Sequence, residues 1–236
     1  MNDKAYPVER DSLIKKLSLQ WDLRMGPYRA FFPQTDKYHK ICEQIVGKEL
    51  CDSCLFAACQ DTRTGEIVAG LYLEDAFELI DNAEMATAFN VRELGEERLE
   101  KMVLLSELSF VSSEDKTMIS QVLMGHCFIE VLKIGGLGIL LDSDVGHFSM
   151  YKRYGMRPIG ALHSSSDRGY SIPMVFLPDG DYLKLINSPV LNLMRGVNFK
   201  NYKSICQWYY QLVREHSELQ IGSAYYPDSE EEYEGH

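Results

Sequence analysis

Two apolar runs joined by a helix-length segment constrain this chain most. "MVLLSELSFV" (102–111) and "LGILLDSD" (137–144) read as strands. Between them, "TMISQVLMGHCFIEVLKIGG" places Ile119, Leu123, Cys127 and Val131 four residues apart, the spacing of one helix face. A connection of that length makes a parallel strand pair, whereas antiparallel neighbours need only a short turn. Both runs are nearly continuous in apolar residues, as strands covered on both faces are. Gly135-Gly136 supplies the helix stop.

Hairpins are expected on either side of this unit. "SCLFAACQDTRTGEIVAGLYLED" holds two apolar segments around "DTRTGE", with Gly65 at the turn. "MRPIGAL" and "GYSIPMVFLP" read as two closing strands. Residues 75–101 are polar and helix-prone, an insertion of one or two short helices. Two helices are expected at the start. One covers 8–25, with Leu13, Leu17 and Trp21 at helical spacing and Gly26-Pro27 as its stop. The other is "DKYHKICEQIVG", with Ile41 and Ile45 on one face and Gly47 as its stop. From about residue 181 the chain is helical, notably in "YKSICQWYYQLVREH". The expectation is a single domain over 1–222 of α/β (α+β) class: a mixed, mostly antiparallel central sheet flanked by helices, with a helical C-terminal extension. The acidic segment 223–236 is expected to be a disordered tail.

A net charge of -11 over 236 residues argues against nucleic acid as a partner, because phosphate binding needs a basic face. The first residues carry no basic segment followed by an apolar one, and no apolar run is long enough to span a bilayer. A cytoplasmic protein with no transmembrane segment is expected. The six cysteines are Cys42, Cys51, Cys54, Cys59, Cys127 and Cys206. "CDSC" is a single C-x-x-C, and a zinc site needs a second pair of ligands. Cys42 and Cys59 could complete one, but a strand over "CLFAACQD" sets Cys54 and Cys59 on opposite faces. The expectation is no metal, and buried reduced thiols.

The short helix expected in "VGHFSMYKRYG" ends in "YKRYGM" and leads into a strand. This order resembles the GNAT acyltransferase superfamily, whose members often carry Tyr-x-x-x-Gly-Phe at this point. The resemblance implies a GNAT-like fold with Tyr151 as general acid toward a leaving thiolate. Gly155 would turn the chain from helix to strand. A phenol stays protonated at neutral pH and can give its proton to a thiolate. Backbone N–H groups where the central strand splays from its neighbour would hold the oxyanion.

"SELSFV" in the central strand resembles the long-chain N-acyl amino acid synthases and acyl-homoserine-lactone synthases. Their strand often reads Glu-x-Ser/Thr-Arg-Phe-x-Val; Glu107, Ser109, Phe110 and Val111 follow it without the arginine. "WDLRMGPYRAFF" is loosely similar to the arginine-bearing region before their first strand, and brings in Arg24 and Arg29. The stretch "SFVSSEDKTMIS" has no Gly-x-Gly, and Glu114 and Asp115 would repel a pyrophosphate. The resemblance therefore implies an N-acyltransferase that moves a fatty acyl group from an acyl carrier protein thioester to the amine of an amino acid or related small molecule. No permanently bound cofactor is implied. A coenzyme-A-dependent N-acetyltransferase using an acyl-CoA thioester and a non-catalytic GNAT-like metabolite-binding protein are the alternatives.

Each residue has a plainer reading too. Glu107 inside an apolar strand is a desolvated base, an outward-facing edge residue, or a structural partner of Arg153 or Arg157. Tyr151 is an acid or a core tyrosine, while Tyr154 is expected to pack. Ser109 lines the thioester channel or bonds locally. His147 precedes Tyr151 by four residues and shares its helix face; His126 is expected to be structural. Asp142 and Asp144 end a strand and reach a cleft or, for Asp144 above all, cap the next helix. Arg24 and Arg29 bind a substrate carboxylate or an acidic carrier protein, or are ordinary surface charges. Lys200 and Lys203, or Lys152, Arg153 and Arg157, are candidate basic patches for that carrier.

Overall fold

The structure, a computed structural model, describes residues 12–17, 22–111, 115–165, 169–216 and 219. The acidic tail, Trp21 and Glu114 lie outside these residues.

The chain pairs its strands mostly with sequence neighbours. β1 (Leu23–Met25), β2 (Tyr28–Phe31), β3 (Cys54–Asp61), β4 (Ile67–Asp75) and β5 (Met102–Phe110) form one antiparallel run. β6 (Gly138–Asp144) then joins β5 in parallel, through the crossover helix α5 (Lys116–Lys133). β9 (Gly169–Phe176) pairs antiparallel with β6, and β7 (Met156–Pro158) and β8 (His163–Ser165) both pair with β9. Among the described residues nine strands thus form one sheet, with the main order β1-β2-β3-β4-β5-β6-β9-β7. This is the mixed, mostly antiparallel sheet flanked by helices that the GNAT-like expectation called for.

Both faces of the sheet are covered. On one face lies α5, whose Ile119, Leu123, Cys127 and Val131 are fully buried against Ala69, Leu71, Val103, Leu105, Ile139 and Leu141. α6 (Phe148–Tyr154) lies on this face too, through Tyr151 and Tyr154. On the other face, α1 (Asp36–Val46) covers Phe56 and Tyr72 with Cys42 and Val46. Gly47 ends α1 at φ +75, in the left-handed region that glycine tolerates. The insertion and α8 (Lys203–Glu215) cover Leu104, Leu140 and Val175 on this second face. α7 (Gly180–Leu185) and short 3-10 turns complete the chain before α8.

Four expectations need correction. Leu23–Met25 is a strand, not the end of a helix from residue 8; within the described part of 8–25 the helical content is the 3-10 turn Ile14–Lys16. Gly26-Pro27, read as a helix stop, is a two-residue hairpin turn with Gly26 at φ +56 and Met25 paired to Tyr28. The insertion is broken into more pieces than expected: a 3-10 turn Ala76–Asp81, then α2 (Ala83–Ala88), α3 (Val91–Leu94) and α4 (Glu96–Leu99). Asn82 starts α2 by accepting a bond from the Met85 amide at 3.1 Å, and positive φ at Asn90 and Gly95 breaks the helix twice.

Arg157 is the third. It belongs to no surface patch and does not pair with Glu107. It is 1 % exposed, donates to Asp179 at 3.2 Å and to the Tyr210 hydroxyl at 3.0 Å, and lies 4.5 and 4.4 Å from the Tyr182 and Tyr209 ring centres. Strand alternation explains this: Met156 enters the α5-side core, so its neighbour must point to the α8 side.

Cys54 and Cys59 fall in separate clusters on opposite faces of β3, as the strand period requires. Cys51 is exposed, contrary to the expected burial, because it lies in the turn before β3 begins.

Candidate active site

The register between β5 and β6 pairs Met102–Leu105 with Gly138–Leu141 and ends there. β5 runs on to Phe110 and β6 to Asp144, each held by its antiparallel partner on the other side. A β-bulge also interrupts β5: Tyr72 pairs with Glu107 but Leu73 with Leu105, leaving Ser106 as the extra residue. A bulge bends its strand and strengthens the local twist. The parallel strands therefore fork, and the fork is the centre of the site.

A cavity of about 420 Å³ fills the fork on the α5 and α6 face. Its walls include Glu107, Leu108 and Phe110 from β5, Asp142 and Asp144 from β6, Lys116, Thr117 and Ser120 from the first turns of α5, and His147, Met150 and Tyr151 around α6. A second cavity of about 340 Å³, lined by Lys48, Glu74, Glu78, Asn82, Met85 and Leu104 among others, lies on the α1 and insertion side. Leu105, Ser106 and Asp142 line both, so the fork is the border between two spaces on opposite faces of the sheet.

Of the residues singled out from sequence, the fork gathers Glu107, Phe110, Asp142, Asp144, His147 and Tyr151. Leu108 and Phe110 pack on the α5 side, so alternation assigns Glu107 and Ser109 to the α1 face. Glu107 is half-buried opposite Tyr72; Ser109 lies opposite Gly70 and does not line the cavity. Val111 is 59 % exposed just beyond β5. Arg24 and Arg29 face each other across β1 and β2, at the far edge of the sheet, where both pair with Asp22. Tyr151 is 7 % exposed in the α5-side core and on the cavity wall. Gly155 ends α6 at φ +107, and a Cβ there would stand 2.3 Å from Leu183 Cδ2.

The two carboxylates of β6 each have a histidine. His147 Nδ1 lies 2.6 Å from Asp144 Oδ2, and the His147 amide donates to Asp144 Oδ1 at 3.1 Å. Burial pushes the Asp144 carboxyl upward, but its bonds to His147 outweigh this and hold it below the ordinary range. His163 Nε2 lies 3.0 Å from Asp142 Oδ1, and both side chains are largely buried. Lys48 Nζ donates to the Ser106 hydroxyl at 3.1 Å and lies 3.7 Å from Glu74. Near the first turn of α5, Lys116 stands 5.6 Å from the Phe110 ring centre, and Asp115 accepts a bond from the Tyr28 hydroxyl at 3.2 Å.

His126 lies away from the fork. It is fully buried against Phe32, ring centres 4.7 Å apart. Burial, aided by Lys133, lowers its pKa to about 3, so it is neutral in the folded protein. Tyr154 is buried and donates to the Thr117 carbonyl at 3.2 Å.

Sequence reasoning missed Lys48, Ser106, Lys116 and His163. Ser106 is set at the fork by a bulge, and Lys48 and His163 are brought in by loops and a short edge strand. Lys116 alone left a signal, as a cation just before the expected helix start. Among the described residues no group of three or more His, Cys, Asp or Glu could hold a metal ion, and no helix is long and apolar enough to cross a membrane.

No family model matches the sequence, and no curated protein does. Solved structures similar to this chain include FeeM, an N-acyl amino acid synthase from uncultured soil microbes, at 15% identity and TM-score 0.47, over 64% of this chain and 90% of that one. MesI, a CoA-dependent acyl-homoserine lactone synthase, is similar at 12% identity and TM-score 0.47, over 71% and 87%. Nourseothricin acetyltransferase is similar at 9% identity and TM-score 0.46, over 64% and 99%.

Proposed function

We propose that the chain is an N-acyltransferase that moves an acyl group from a thioester to the amine of an amino acid or related small molecule. The observation that carries this reading is the fork, which lies between a cavity on each face of the sheet, with Tyr151 on the wall of one and Glu107 on the bordering strand, facing α1. Acyl transfer needs a deprotonated amine, a stabilised oxyanion and a protonated leaving sulfur. Glu107, assigned to the α1 face, takes the proton from the amine, directly or through a water. The amine then attacks the thioester carbonyl, and backbone N–H groups of β5 past the last parallel pair hold the oxyanion. As the intermediate collapses, the C–S bond breaks and Tyr151, on the α6 side, protonates the thiolate.

The two mouths suit the two substrates. Glu74, Glu78 and Asp142 on the α1 side attract an ammonium group, with Lys48 drawn toward Glu74. On the other side, Lys116 favours an anionic group, while Asp115, which starts α5, accepts the bond of the Tyr28 hydroxyl. The pantetheine arm carries such a phosphate both in coenzyme A and on an acyl carrier protein, and we favour a fatty acyl group delivered by the carrier. For docking, Lys152 and Arg153 on α6 and the exposed Lys200 and Lys203 remain after Arg157 is removed from the patch.

Expression in a heterologous bacterium, with organic extracts compared by mass spectrometry, tests the reading. New N-acyl amines that vanish with Glu107→Gln support it and identify acyl chain and acceptor together. Purified protein that turns over neither acyl-CoA nor acyl carrier protein with any of a panel of amines, yet binds an acyl-pantetheine, favours the binding protein instead.

A further inference from the structure

The C-x-x-C lines neither cavity. Cys51 is exposed and Cys54 buried, and the four remaining cysteines are all buried. The Cys54 amide donates to the Cys51 carbonyl at 3.2 Å, closing a β-turn with the cysteines at its two ends. Such a turn holds its end Cα atoms within about 7 Å, inside the span a disulfide bridges. The Cys54 thiol donates to the same carbonyl at 3.1 Å, and the Cys51 amide points back at Cys54 Sγ. The resolving sulfur thus already sits over the exposed cysteine's own backbone.

The surroundings make Cys51 the attacking thiol. Ser53 Oγ lies 3.6 Å and the Tyr72 hydroxyl 3.7 Å from its sulfur. Burial acts upward on the Cys51 pKa, but the bonds from Cys54, Ser53 and Tyr72 outweigh it, and the thiol titrates below its ordinary value. Burial, and next the bond from Cys51, push Cys54 up to about 11. The thiolate is the nucleophile, and exposure decides access, so the two roles differ.

We propose that Cys51 and Cys54 are a redox-modification site that closes to an intramolecular disulfide by exchange with a small-molecule disulfide. The Cys51 thiolate attacks one sulfur of the oxidant, forming a mixed disulfide and releasing one thiolate. The Cys54 thiol then loses its proton and attacks Cys51 Sγ, and the second oxidant thiolate leaves. The protein loses two electrons and two protons, and the oxidant becomes two thiols. The turn that closes lies three residues beyond Lys48, the cation on the acceptor-side mouth.

The test is independent of acyl transfer. Wild type and Cys54→Ser are equilibrated with glutathione disulfide, quenched by alkylation and read by peptide mass. Wild type is expected to show a bridge within the peptide holding both cysteines, reversed by a dithiol. Cys54→Ser is expected to trap glutathione on Cys51, with the other cysteines unmodified. Recovery of wild-type Cys51 and Cys54 both as alkylated thiols overturns the proposal. So does a glutathione adduct on Cys51 that persists in wild type, since Cys54 would then not be a resolving thiol.

Discussion

Leu105 and Leu141 form the last register pair between β5 and β6, and the next residue on each strand, Ser106 and Asp142, borders both cavities. The site therefore begins where a ladder ends, and residues next to that point are the ones to test.

In the proposed mechanism, Glu107→Gln and Tyr151→Phe each remove one proton-transfer group with little change of shape. Each is expected to slow acyl transfer by about 10²- to 10⁴-fold. Thioester consumption by purified protein measures the loss, and an unchanged melting curve separates it from unfolding.

Arg157 and Asp179 form an ion pair in which the side chains are 1% and 4% exposed. Asp179→Ala leaves the guanidinium buried without its carboxylate and also removes the bond to the Tyr182 amide that starts α7. A loss of about 3–5 kcal/mol is expected in chemical denaturation. A loss under about 1 kcal/mol would mean that the three tyrosines around Arg157 suffice.

His126 predicts an acid-dependent stability. Its folded pKa lies near 3, below the 6.5 of an unperturbed histidine. The unfolded chain therefore binds the proton first. The contribution is fully present above about pH 6.5 and is lost as pH falls toward 3, by up to roughly 1.4 kcal/mol per pH unit. The urea midpoint of wild type should fall relative to that of His126→Leu as pH drops through this range, whatever their offset at neutral pH.

Gly160 lets β7's following turn touch the insertion. A Cβ there would stand 1.8 Å from the Ala88 carbonyl oxygen, a backbone atom that cannot rotate away. Gly160→Ala is expected to cost about 1–3 kcal/mol, and Gly65→Ala, with nothing within 4 Å but φ +77, is the control for conformational strain alone.

The strand–helix–strand unit and the hairpin of β3 and β4 were legible because their apolar periods are strong and their turns carry glycine. The start was not: Leu13 and Leu17 fit a helix, but Met25 answers to Tyr28 across a Gly-Pro turn that periodicity does not distinguish from a helix stop. At the site, Glu107 stood out as an acid in an apolar strand, and Tyr151 by its distance from Gly155. His163 and Lys48 could not be seen, because nothing local to "GALHSSS" or "VGKEL" shows that they fold back onto β5 and β6.

The four register pairs between β5 and β6 make a seam between two plates, β1 to β5 on one side and β6 to β9 on the other. The core residues of α5 bear on both plates, touching Val103 and Leu105 as well as Ile139 and Leu141. The aperture that the end of the register and the bulge open is therefore also braced by one helix packed on both plates. Amide exchange should rise along β5 from Val103 toward Phe110, and trimming Leu123 should loosen the open end before the seam.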